Sequence, residues 1–76
     1  MESKEHSISH EDFAKRLRVA RGNMSVKKVA EKLCIRDATY RRYEAANGIF
    51  PSPDMLVKIA DLFDETIDYL LGRTDI

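Results

Sequence analysis

Residues 25–44, SVKKVAEKLCIRDATYRRYE, carry the groups of this chain best suited to reading another molecule. They divide into two short helical segments around a tight turn, and the second segment is rich in arginine. At 3.6 residues per turn Tyr40 and Tyr43 share one face, while Ala38, Arg41, Arg42 and Ala45 fall on roughly the opposite one. The tyrosines are expected to pack inward and the arginines to point outward. Two helices so arranged form a DNA-reading shape.

Charge placement supports this more than total charge does. The chain has 13 basic and 13 acidic residues and is formally neutral. Residues 13–43 nevertheless contain ten Lys/Arg (Lys15, Arg16, Arg18, Arg21, Lys27, Lys28, Lys32, Arg36, Arg41, Arg42) against Glu31 and Asp37, a balance of +8. The remainder therefore carries −8. Positive charge concentrated around one motif gives an electrostatic footprint for nucleic acid that the isoelectric point conceals. A charged run is by default a solvated face. The coincidence of charge and motif reverses that default here.

Lys27 and Lys28 sit in the first turn of the earlier helix, where the helix dipole disfavours each cation by about 0.3–1 kcal/mol. A docked phosphate would relieve that penalty, because a helix N-terminus already presents unpaired N–H groups to anions. Ser25, Lys27, Lys28 and Lys32 are the candidate phosphate-contacting residues.

Other chemistry is poorly supported. His6 and His10 are spaced i,i+4 as zinc ligands could be, but no third ligand lies near and the segment reads as frayed. Cys34 lacks an evident base partner, and the chain shows neither paired carboxylates nor a glycine-rich phosphate loop. The sequence implies no enzyme activity, cofactor, metal or small-molecule substrate. One cysteine excludes an internal disulfide and fits a reducing compartment. The N-terminus MESKEHSISHEDF lacks a signal-peptide layout, and no apolar run reaches membrane-spanning length, so a soluble, cytoplasmic protein is expected.

The elements that would position these groups are five helices in one small all-α domain of 76 residues. Residues 1–8 read as a flexible N-terminus and 9–76 as the folded domain. Ser9 with Asp12 resembles a capping box, opening a helix over about residues 10–21 that Gly22 stops. Ser25 caps the second helix, with Val29, Ala30 and Leu33 as its buried stripe. The third helix is expected over about residues 37–45. The segment 47–53, with Gly48 and two prolines, reads as loop. Ser52 and Pro53 start a fourth helix with Met55, Leu56, Ile59, Ala60 and Phe63 inward. Thr66 opens a short last helix, IDYLL, closed by Gly72.

The stretches FAKRLRVARG, SVKKVAEKL, ATYRRYE, MLVKIADLF and IDYLLGRTD, in this order and spacing, resemble the helix-turn-helix family of phage Cro and repressor proteins, the XRE family. The resemblance implies a five-helix lambda-repressor-like fold and a symmetric dimer on a palindromic double-stranded DNA operator. Small members include prophage repressors, Cro-type proteins, restriction-modification controllers and antitoxins. It places the base-reading positions at Arg36, Asp37, Ala38, Thr39, Arg41 and Arg42. Arginine can bond guanine bidentately, aspartate can accept from cytosine N4, and a small alanine can approach a thymine methyl. Asp37 and Arg41, spaced i,i+4, could instead pair with each other. The resemblance also implies a structural pair between Arg21 and Glu44.

Three positions depart from the family pattern. Val26 stands where the family usually has a backbone-contacting glutamine. Cys34 stands where the turn usually has glycine at positive φ, so its side chain should be strained. Arg36 stands where a serine or threonine usually caps the third helix. A prophage-type repressor is the expected function; an antitoxin, or an interaction module that has lost its DNA contacts, are the alternatives. Ile67, Tyr69, Leu70, Leu71 and Ile76 offer more apolar surface than a short final helix needs, and are the expected dimer interface.

Overall fold

Four of the five helices described start where a hydroxyl side chain accepts from the amide three residues on. In the computed structural model, which describes residues 9–46 and 48–73, four such caps are formed. Ser9 Oγ accepts from the Asp12 N–H at 3.2 Å and opens α1, His10–Arg21. Ser25 Oγ accepts from the Lys28 N–H at 3.0 Å and opens α2, Val26–Leu33. Ser52 opens α4, Pro53–Phe63, with proline in its first turn, and Thr66 opens α5, Ile67–Leu70. Each cap satisfies one of the amides that a helix start leaves unpaired. Between α2 and α4 lies α3, Asp37–Tyr43, whose N-cap Arg36 makes no side-chain cap bond.

Helix ends follow an equally local rule. Cys34 and Asp64 adopt the left-handed conformation after α2 and α4, with φ of 60° and 57°. In both cases the next amide reaches back five residues, Ile35 to the Ala30 carbonyl and Glu65 to the Ala60 carbonyl, each at 3.0 Å. These are Schellman closures, which satisfy carbonyls that the helix ends would otherwise orphan.

The five helices enclose one core built from Phe13 and Leu17 of α1, Val29, Ala30 and Leu33 of α2, Tyr40 and Tyr43 of α3, Ile59 and Ala60 of α4, and Leu70 of α5. Among the described residues no polar or charged residue is buried as a whole, the Glu44 side chain coming nearest to it. Each helix therefore contributes one apolar stripe and keeps its charges outside, the layout that the sequence periodicity anticipates. The chain is all-α, with no strand among the described residues.

The structure corrects two expectations. Helix α3 ends at Tyr43, two residues before Ala45, because Glu44 leaves helical geometry with φ −89° and ψ 2°. Leu70 has no exposed surface and belongs to the core, so it has nothing to offer a dimer partner. Its neighbours Ile67, Tyr69 and Leu71 are half-buried, packed against that core while keeping an outer surface. The expected flexible segment 1–8, which includes His6, and the proposed interface residue Ile76 lie outside the described residues.

Candidate nucleic-acid interface

Helices α2 and α3 meet at the turn Cys34–Ile35–Arg36, and the left-handed Cys34 sets the angle between them. Tyr40 and Tyr43 anchor α3 from beneath, Tyr40 fully buried and Tyr43 nearly so, with their rings edge-to-face at 6.1 Å. This inward pair leaves the opposite face of α3 to solvent. Arg36, Asp37, Ala38, Arg41 and Arg42 are exposed and Thr39 is half-buried. Among the described residues no ion pair joins Asp37 to Arg41, so neither charge is consumed within the helix.

The α2 end of the face is equally open. Ser25, Lys27, Lys28 and Lys32 are all exposed. The serine hydroxyl accepts the Lys28 amide, yet its own proton remains available to a phosphate oxygen. The amides of Val26 and Lys27, in the same first turn, have no acceptor within the helix. Val26 itself is half-buried against the core, so its side chain serves packing where a glutamine would reach outward. Cys34 is exposed and its thiol is free.

A polar network ties this face to α1. Arg21 donates from Nε to Glu44 Oε2 at 2.8 Å and from Nη2 to Oε1 at 3.1 Å, a bidentate fork. Its third nitrogen, Nη1, donates to the Met24 carbonyl at 2.9 Å. Tyr40 completes the set, its hydroxyl donating to Glu44 Oε2 at 2.6 Å. The Glu44 side chain is only 8% exposed, so its charge requires these donors. The carboxylate hydrogen bond raises the Arg21 pKa further, and burial with the same Glu44 bond pushes the Tyr40 phenol well above its ordinary range. Arg21 is thus a fixed cation and Tyr40 a fixed donor.

Two further anchors carry no local sequence signal. Arg18 donates from Nη1 to the Glu44 backbone carbonyl at 2.7 Å, satisfying a group at the end of α3. His10 donates from Nε2 to the Ile49 carbonyl at 2.7 Å, tying the loop after α3 to the start of α1. The i,i+3 spacing of Arg18 and Arg21 on α1 is the only feature that could have suggested the first. Nothing in the sequence suggests the second.

Comparison with known proteins fits this geometry. A Bacillus subtilis (strain 168) protein, YobD, described as an uncharacterized HTH-type transcriptional regulator, is 38% identical over 65 residues, covering 83% of this chain and 57% of that protein. The chain thus spans little more than half the length of that relative. No solved structure matches the chain. A family model described as helix-turn-helix matches residues 15–70, a span from the first basic residue of α1 to the end of α5. The chain belongs to this helix-turn-helix family, of the XRE type.

Proposed function

We propose that this chain is a sequence-specific, double-stranded-DNA-binding transcriptional regulator of the prophage-repressor kind, non-enzymatic, acting as a dimer on a palindromic operator. The observation that carries the reading is the exposed, unpaired arginine face of α3, held at a fixed angle by the Arg21–Glu44–Tyr40 network. Arg36, Asp37, Ala38, Thr39, Arg41 and Arg42 would read base edges in the major groove, with Arg42 bonding a guanine. Ser25, Lys27, Lys28 and Lys32 would hold the phosphates that set the register. The left-handed Cys34 keeps the turn that such docking needs, which supports DNA reading over a module that has lost it.

The two contact classes respond differently to mutation. Arg42→Ala should cost about 1–3 kcal/mol and relax the preference at one base pair, whereas Lys28→Ala should weaken all sequences alike and lower the salt slope by about 1. Binding isotherms on the preferred duplex and on unrelated DNA, at several salt concentrations, separate them. Equal losses for Arg42→Ala on both duplexes would overturn the base-reading assignment.

A further inference from the structure

The connection between α3 and α4 is fastened to two helices through one residue, Ile49. The Ile49 N–H donates to the Arg42 carbonyl at 3.2 Å, supplying a partner that the ended helix no longer provides. The carbonyl of the same residue accepts from His10 Nε2 at 2.7 Å. A carbonyl only accepts, so Nε2 carries the proton in this contact. Gly48 allows the close approach, since any side chain there would collide with the Arg42 carbonyl.

The imidazole is itself held. Phe50 stands edge-to-face to it at 4.6 Å, Phe13 lies tilted at 5.6 Å, and the two phenyl rings are 5.0 Å apart. Phe13 is fully buried, so this aromatic trio roots the loop in the core. A continuous path thus runs from α1 through His10 and Ile49 to the backbone of Arg42. It is separate from the Arg21–Glu44 pair, which grips α3 through a side chain.

We infer that His10 is a positioning residue for DNA recognition, holding the Arg42 end of α3 in register through the Ile49 backbone. The inference rests on the regulatory reading above. His10 touches no DNA in this scheme; it acts by fixing the backbone from which the Arg42 side chain extends. Arginine must reach two guanine acceptors at once, so a small shift of its backbone degrades base reading while leaving phosphate contacts on α2 intact.

The test begins with the wild-type protein selecting duplexes from a random-sequence library. His10→Leu, which fills the ring's space without a donor, and His10→Gln, whose amide can donate to the same carbonyl, are then titrated against the selected duplex, its single-base variants and an unrelated duplex. Expressing affinities per folded molecule, from circular-dichroism melts, keeps the comparison valid for a destabilised variant. His10→Leu should lose roughly fivefold on the selected duplex, the size of one neutral hydrogen bond, and blunt the preference at the base pair that Arg42→Ala also relaxes. Its affinity for unrelated DNA should be unchanged, and His10→Gln should recover most of the loss. Wild-type affinity for His10→Leu, an equal loss on both duplexes, or no recovery by His10→Gln overturns the positioning role while the regulatory reading stands. A wild-type protein that enriches no sequence removes both.

Discussion

Cys34 carries a side chain at a backbone conformation that glycine adopts freely, φ 60° and ψ 41°. The left-handed region costs an L-residue of order 1 kcal/mol, and the exposed thiol gains no packing to offset it. Glycine loses more chain entropy on folding, which cancels part of the benefit. Cys34→Gly should therefore raise stability by roughly 0.5–1 kcal/mol, read as a higher denaturant midpoint at unchanged slope. A lower midpoint would show that the thiol contributes contacts which its exposure hides. Tyr40 presents the opposite situation, a polar group well satisfied. Its folded pKa lies above the unfolded phenol value of about 10, so the folded state keeps a proton that the unfolded state releases. That stability is complete below pH 10 and declines by up to about 1.4 kcal/mol per unit above it. Tyr40→Phe should be less stable at neutral pH yet lose stability less steeply between pH 10 and 11.5, as urea melts across that range would record. An unchanged slope would mean that Tyr40 does not contribute to alkaline unfolding.

Among the elements, local chemistry was legible and long-range chemistry was not. Ser9, Ser25, Ser52 and Thr66 each bond an amide three residues on, so their helix starts follow from spacing alone. The inward face of Tyr40 and Tyr43 is likewise set within one turn of chain, whereas the left-handed turn at Cys34 was expected from the glycine that the family resemblance places there. The family resemblance supplied the Arg21–Glu44 pairing, which spacing alone does not reveal. The His10 and Arg18 contacts to backbone carbonyls span 39 and 26 residues, and they exist only once α1 has met the chain that follows α3. The same gap explains the early end of α3. Helical periodicity continued through Ala45, but the chain turns at Glu44 and the loop folds back, with the Gly48 N–H on the Ala45 carbonyl and the Ile49 N–H on the Arg42 carbonyl. Gly48→Ala would place a Cβ against the rigid Arg42 carbonyl, and the backbone must move to admit it. A loss of about 1–3 kcal/mol in chemical unfolding is expected, the usual range for overpacking. No measurable loss would show that the loop can settle elsewhere without disturbing α3.

For the whole molecule, the separation of charge and the division of apolar surface both bear on assembly. Basic residues gather on α1 through α3, whereas Asp54, Asp61, Asp64, Glu65 and Asp68 mark α4 and α5 as the acidic side. On DNA, the first group would face the phosphates and the second would face away, leaving the C-terminal side free to meet a second copy. With Leu70 withdrawn into the core, the described candidates for that contact are Ile67, Tyr69 and Leu71. Tyr69 already carries the Arg16 guanidinium over its ring at 5.0 Å, which leaves Ile67 and Leu71 as the apolar centre. A two-fold interface presents each residue twice, so one substitution acts on both sides of the contact. Leu71→Lys would set like charges against each other, which costs several kcal/mol across an interface. We expect sedimentation equilibrium to shift from dimer to monomer, with a folded circular-dichroism spectrum retained because Leu71 is only half-buried. On DNA, the wild type should protect two half-sites whose centres lie about 34 Å apart, one helical turn, and the variant should need far more protein to protect either. A dimer that survives Leu71→Lys would move the interface off α5. A wild-type footprint over one unrepeated half-site at saturation would exclude the two-fold mode of binding altogether.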